Sequence, residues 1–238
     1  MASIKDDRGF NQGFALVKST EVRMRRRADA FVQEMDLKQP REILEIGCGT
    51  GEIAYWIAEQ TGAHLLGIDL CIPFIKQARQ RPPLPNLQYQ VIDFNQPGSL
   101  SEQTFDYIIG NGILHHLYYT LPAALLNIRR LLKPDGKLVF FEPNIYNPYC
   151  TLIFTVPFLR VKARLEPTEM AFSKRFIVQR LREANFTEIH VAYKDFLLPG
   201  VPNILINPLI LSGNILEHIP VLNKMAQSLF IKAKKSHE

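Results

Sequence analysis

Cysteine is scarce in this chain of 238 residues: Cys48, Cys71 and Cys150 stand far apart, with no CxxC pairing. That excludes a disulfide framework and a thiolate zinc pattern, so no metal is expected, and it suits a reducing, cytoplasmic setting. Long apolar runs are missing too. None reaches the roughly 18 residues that a membrane-spanning helix needs. The opening Met1-Ala2-Ser3-Ile4-Lys5-Asp6-Asp7 is charged and lacks an apolar core, so no secretory leader is expected. No internal repeat or low-complexity tract interrupts the chain. A strong charge imbalance is absent as well: a net charge of +5 is too small and too scattered to demand a phosphate track, and no nucleic-acid partner is expected. Arg23, Arg25, Arg26 and Arg27 near the start, and Lys232, Lys234 and Lys235 near the end, read as solvated faces.

What is present is apolar residue in plenty, 47% of the chain, enough for one large α/β core. The chain is organised around residues 43–54, Ile43-Leu44-Glu45-Ile46-Gly47-Cys48-Gly49-Thr50-Gly51-Glu52-Ile53-Ala54. This reads as a buried strand, a glycine turn and a helix start, the cradle of a doubly wound sheet. A dinucleotide fingerprint wants glycines at its first, third and sixth positions. Counting from Gly47, the sixth position is Glu52 and the third glycine falls early, at Gly51. Glu45 and Glu52 beside the turn suit a cationic ligand better than a pyrophosphate.

The pattern Glu45-x-Gly47-x-Gly49-x-Gly51 resembles the first motif of the class I S-adenosylmethionine-dependent methyltransferases. Further likenesses follow in order: the strand Phe105-Asp106-Tyr107-Ile108-Ile109-Gly110, the pair His115-His116, and Leu131-Leu132-Lys133-Pro134-Asp135-Gly136-Lys137-Leu138. The resemblance implies a Rossmann-like, doubly wound α/β sheet of seven strands, mostly parallel with an antiparallel edge strand, and helices on both faces. It implies S-adenosylmethionine as donor and S-adenosylhomocysteine as product. Strands are expected at 42–46, 64–69, 87–92, 105–110, 137–142, 186–193 and 227–233. A turn is expected at Lys133-Pro134-Asp135-Gly136, Gly62 is placed as a helix C-cap, and Asn185 stands where the family usually has a helix-closing glycine. Residues 1–40 are expected to form an N-terminal helical arm or lid, with Thr20 as helix cap, and 41–238 the methyltransferase domain. Apolar, proline-broken insertions follow strands 5 and 6, at 144–167 and 195–226.

Asp69 ends the second strand, 22 residues after Gly47, so it should lie over the glycine turn within reach of a ribose. The competing reading is a helix cap. By resemblance, Asp93 bonds the adenine amino group and Phe94 packs on its ring. The donor site implied in this way comprises Glu45, Gly47, Cys48, Gly49, Gly51, Asp69, Leu70, Asp93, Phe94 and Asn111. His115 and His116, just past the fourth strand, are candidate bases, with the Ile-Leu-His context favouring His115.

The acceptor is argued from the insertions. Tyr146, Tyr149, Phe154, Phe158 and Phe172, then Phe196, Leu197, Leu198, Ile204, Leu205 and Ile206, offer more apolar surface than a small polar acceptor needs. A small-molecule acceptor, apolar or lipid-like, is the expected partner. Covering the sheet, pairing with a second subunit as a homodimer, and lying on a membrane surface around 209–222 all stay open, though the prolines argue against a continuous helix there. A non-catalytic binding module of the same fold and a nucleic-acid methyltransferase are the rival readings. The DNA-enzyme signature after strand 4 is replaced here by Asn111-Gly112-Ile113-Leu114.

Overall fold

The computed structural model describes residues 17–98 and 100–236. The first part of the expected N-terminal arm, residues 1–16, lies outside the described residues. Seven strands form one sheet in the order β3-β2-β1-β4-β5-β7-β6. They are β1 (Glu42–Ile46), β2 (His64–Asp69), β3 (Leu87–Val91), β4 (Phe105–Asn111), β5 (Leu132–Pro143), β6 (Phe186–Lys194) and β7 (Ser228–Lys235). The first five pair in parallel, with β1 at the centre flanked by β2 and β4. The expected antiparallel strand is β7, one place in from the margin: it pairs with both β5 and β6, and β6 forms the sheet's outer strand.

Near-continuous apolar runs in β1 and β4 fit strands buried on both faces. One face packs against α4 (Leu121–Leu131) and α7 (Lys174–Glu183), through Leu125, Ile128, Ile177 and Leu181 on Leu44, Ile108 and Phe140. The other packs against α1 (Lys18–Glu34), α2 (Glu52–Gln60) and α3 (Ile72–Ala78), through Ala28, Phe31, Ile57 and Ile75 on Ile43, Ile109 and Phe141. The insertion after β5 folds as α5 (Pro148–Thr155) and α6 (Pro157–Ala163), and the one after β6 as α8 (Asn203–Leu216) and a short 3₁₀ turn over Leu222–Met225.

Four local expectations change. α1 begins before Thr20, which sits inside it, with Val17 at the cap position. Gly62 is not a left-handed cap: Thr61 ends α2 in extended conformation and its hydroxyl donates to the Ile57 carbonyl at 2.7 Å, satisfying an end-of-helix acceptor. The turn at 133–136 is a bulge inside β5, with Phe105 opposite Leu132 and Tyr107 opposite Lys137. Asp135 absorbs the extra residues at φ 63°. α8 runs unbroken through Pro208, which forfeits one backbone bond without ending the helix. Asn185 does take the left-handed conformation, φ 58°.

Candidate active site

The turn after β1 is held by its own backbone. Gly47, Gly49 and Gly51 all have positive φ, 64°, 54° and 78°. Cβ atoms at Gly47 and Gly51 would strike Ile113 at 2.7 Å and the Tyr89 hydroxyl at 2.5 Å, whereas one at Gly49 would meet nothing within 4 Å. Gly49 is therefore the residue whose missing side chain leaves space. Its N–H donates to Asp69 Oδ2 at 2.9 Å, and the Cys71 N–H donates to Oδ1 at 2.8 Å. Asp69 thus both caps the turn after β2 and ties β2 to the glycine turn.

A cleft of about 440 Å³ opens over the carboxyl ends of β1, β2 and β4. Gly47, Gly49, Asp69, Leu70, Asp93, Phe94 and Asn111 line it, together with His116. Glu45, Cys48, Gly51 and His115 do not. Glu45 is 2% exposed and accepts the Ala54 N–H at 2.9 Å, so it fastens the start of α2 from beneath. Burial, with Glu52 and Asp69 adding their charge, pushes its carboxyl well above the ordinary range. Glu52 is equally buried, accepting the Thr50 hydroxyl and pairing with Arg81. The two glutamates of the turn are therefore structural. The carboxylates that line the cleft are Asp69, Asp93 and Glu166, and among the described residues no lysine or arginine joins them. Asp93 also accepts the Asn95 N–H at 2.9 Å, forming an Asx turn, and Phe94 belongs both to the cleft wall and to the core.

The two histidines part company. His115 is buried, with Nδ1 2.9 Å from Oε2 of Glu142. His116 lines the cleft, and its Nδ1 lies 2.9 Å from Glu169 Oε1 and 3.6 Å from Glu166 Oε1. The Glu169 contact is an ion pair off the line of an N–H bond, since neither buried oxygen of Glu169 receives an aligned donor. Burial disfavours the charge on His116, but Glu166 and Glu169 outweigh it and raise its pKa to about 9. His115, His116 and Glu169 bring one donor atom each within 4.8 Å of one another.

Behind Asn111 stands Arg27, which donates to the Asn111 side chain and to Asp195 Oδ2 at 2.9 Å. Arg23 reaches the same Asp195 oxygen at 2.9 Å. Burial, with Arg23 alongside, lowers Arg27 to about 9 against the pull of Asp195. These two arginines are not solvated faces: they join α1 to the ends of β4 and β6. The missed members of the site, Arg27, Glu142, Glu166 and Glu169, carry no motif, although an arginine on the apolar stripe of Met24, Ala28 and Phe31 was a legible anomaly.

A family model described as a methyltransferase domain matches residues 44–140. The solved structure of Haemonchus contortus phosphoethanolamine N-methyltransferase 2 with S-adenosyl-L-methionine superposes with a TM-score of 0.64 at 16% identity, over 89% of this chain and 53% of that one. Over residues 44–140 the chain is therefore similar to methyltransferase domains, and its fold is that of the solved S-adenosylmethionine-dependent enzymes. Among its relatives, the wheat (Triticum aestivum) phosphoethanolamine N-methyltransferase 1 is 30% identical over 141 residues, 58% of this chain and 27% of that protein. The chain thus spans about a quarter of that relative's length. The Neisseria meningitidis ubiquinone biosynthesis O-methyltransferase is 29% identical over 144 residues, 58% of each. No helix among the described residues is long and apolar enough to cross a membrane.

Proposed function

We propose that this chain transfers the methyl group of S-adenosylmethionine to a small acceptor with an apolar or lipid-like body. One observation carries the reading: among the described residues, the cleft over the glycine turn is lined by three carboxylates against one cationic side chain, His116, and by no lysine or arginine. Such a cleft suits a cationic, phosphate-free donor and repels a pyrophosphate. When bound, the donor supplies a methyl already activated by its sulfonium, so alignment and removal of water are the main demands on the protein.

In this reading Gly47 and Gly49 let the donor approach the backbone, with Gly49 leaving the open side. Asp69, which lines the cleft beside the glycine turn, accepts from vicinal hydroxyls, and Asp93 and Phe94 flank the base, with Leu70 at the rim. Asn111 is held in place by Arg27. Glu45, Cys48 and Gly51 shape the turn from behind. His116, not His115, handles any proton: it lines the cleft, and at neutral pH it is an imidazolium that donates a hydrogen bond to the acceptor. It serves as a base only as pH approaches about 9. Ile113, Leu117 and Tyr119, which share the cleft with His116, support an apolar acceptor body.

The insertions contribute less directly than their composition implies. Phe154, Phe172, Leu197 and Ile206 are buried in the fold, while Tyr146, Tyr149, Phe158 and Ile204 face solvent. Only Glu166 and Thr168 of the segment after β5 line the cleft. Isothermal titration with S-adenosylmethionine and with NADH tests the donor: binding of the first and not the second is expected, and no binding of S-adenosylmethionine overturns the reading. A panel of quinol, isoprenoid and fatty-acyl acceptors with radiolabelled donor then tests the acceptor class.

A further inference from the structure

Of the twenty large apolar side chains that stand exposed among the described residues, fourteen lie in the two insertions. They are therefore a local property and not general surface. The pattern is clearest on α8, whose fourteen residues carry no charge. Ile204, Pro208, Leu211 and Ile215 fall at i, i+4, i+7 and i+11, one face of the helix, and all four are exposed. Ile204 is 84% exposed and Leu211 68%. The opposite face buries Ile206 and Gly213, the latter against Phe196. The helix is thus packed by one side and turns an apolar stripe to water, the reverse of an ordinary surface helix. The stripe continues past the helix to the exposed Ile219 and Leu222.

Beyond it, Val221 and Lys224 line a groove of about 930 Å³ with Tyr146, Lys174, Arg175 and Arg182. Four cations and no carboxylate line that groove, and none of the four pairs with a carboxylate among the described residues. Glu217, the acid nearest the end of α8, turns inward to Lys194 at 2.7 Å. An apolar stripe running into an acid-free cationic groove matches a bilayer with anionic headgroups: aliphatic side chains enter the acyl boundary and lysine and arginine meet the phosphates. A second copy of the chain is a poorer fit, because a two-fold contact would set cationic groove against cationic groove. We infer that α8, the turn after it and the groove form a docking face for an anionic lipid bilayer.

The inference stands apart from the methyl-transfer reading, and its test does not use turnover. The full chain is sedimented with vesicles of phosphatidylcholine alone and of phosphatidylcholine with about 30% phosphatidylglycerol, a composition that gives a negative surface potential. Partitioning at least about tenfold greater onto the anionic vesicles, reduced by high salt, is expected. Leu211→Asp with Ile215→Asp should abolish it, and Arg175→Glu with Lys224→Glu should remove the anionic preference. Circular dichroism and donor titration verify that each variant is folded. Equal or no partitioning on both vesicles, or partitioning unmoved by the aspartate pair, overturns the inference. So does dimerisation in solution that the aspartate pair dissolves, since the stripe is then covered by a second copy.

Discussion

Oε1 of Glu142 accepts the backbone N–H of Leu114 at 2.7 Å and Oε2 lies 2.9 Å from Nδ1 of His115, so one carboxylate with no exposed surface holds both the loop after β4 and the first histidine in it. Oε1 also accepts from Ile113, and Oε2 from the His115 N–H. In the proposed reading His115 is thereby a positioning residue, and Glu142 is the peg on which its loop hangs.

Glu142→Ala should accordingly destabilise the fold by roughly 3 kcal/mol or more, because it strands several buried donors at once. Urea unfolding measures this. His115→Asn should lower turnover and stability together, while His116→Gln should lower turnover with donor affinity intact. A His115→Asn variant with full stability and no turnover would exchange the two roles.

Asp69 bonds two backbone N–H groups besides its expected contact with the donor. Asp69→Asn retains oxygen for one of them, and Asp69→Ala retains neither. Donor affinity should fall by about 1–3 kcal/mol in the alanine variant and by less in the asparagine variant. Titration calorimetry with S-adenosylmethionine separates the two, and unchanged affinity in both removes the ribose assignment.

The glycines of the turn should separate stability from binding. Gly51→Ala drives a methyl into the Tyr89 hydroxyl at a φ of 78° and should cost well above the ~1 kcal/mol of left-handed strain alone. Gly49→Ala meets no neighbour, so its stability loss should stay near ~1 kcal/mol while donor binding drops by more. Parallel urea and calorimetric titrations test the contrast.

His116 couples stability to pH. Its folded value of about 9 exceeds the ordinary value near 6.5 of an unfolded chain. Its contribution is therefore complete below about pH 6.5 and fades as pH rises through about 9, a loss on the order of 3 kcal/mol. Arg27, lowered to about 9, works in the opposite sense at alkaline pH, so the useful quantity is the difference between wild type and His116→Gln. That difference should shrink between about pH 6.5 and pH 9.

Arg27→Met leaves Asp195 with Arg23 as its remaining cation and frees the Asn111 side chain. A loss of about 3 kcal/mol is expected, the scale of a broken buried pair. A weaker donor titration should accompany it, since Asn111 lines the cleft.

Strand positions and the glycine turn were legible because backbone demands write themselves locally: alternating glycines, a strand-end aspartate, an asparagine where a left-handed residue is required. The placement of Glu45 and Glu52 was not legible. A carboxylate next to a turn in sequence points either to the ligand or beneath the helix, and here the Ala54 N–H and Arg81 draw both inward. The separation of His115 from His116 depends on Glu142, Glu166 and Glu169, which reach them from other parts of the chain. Arg27 was read with its neighbours as a charged run, whereas its place on the apolar stripe of α1 governs its fate.

Because β7 lies between β5 and β6 yet follows both in the chain, β6 has no neighbour in the sheet until residues 228–235 are available. On a ribosome the first five strands can assemble in order of emergence, with β6 and α7 waiting in the exit vestibule for a partner made after them. Translation speed across codons 195–227 thus sets how long an unpaired strand edge is offered to chaperones, and a stall there would favour aggregation of an otherwise half-built sheet.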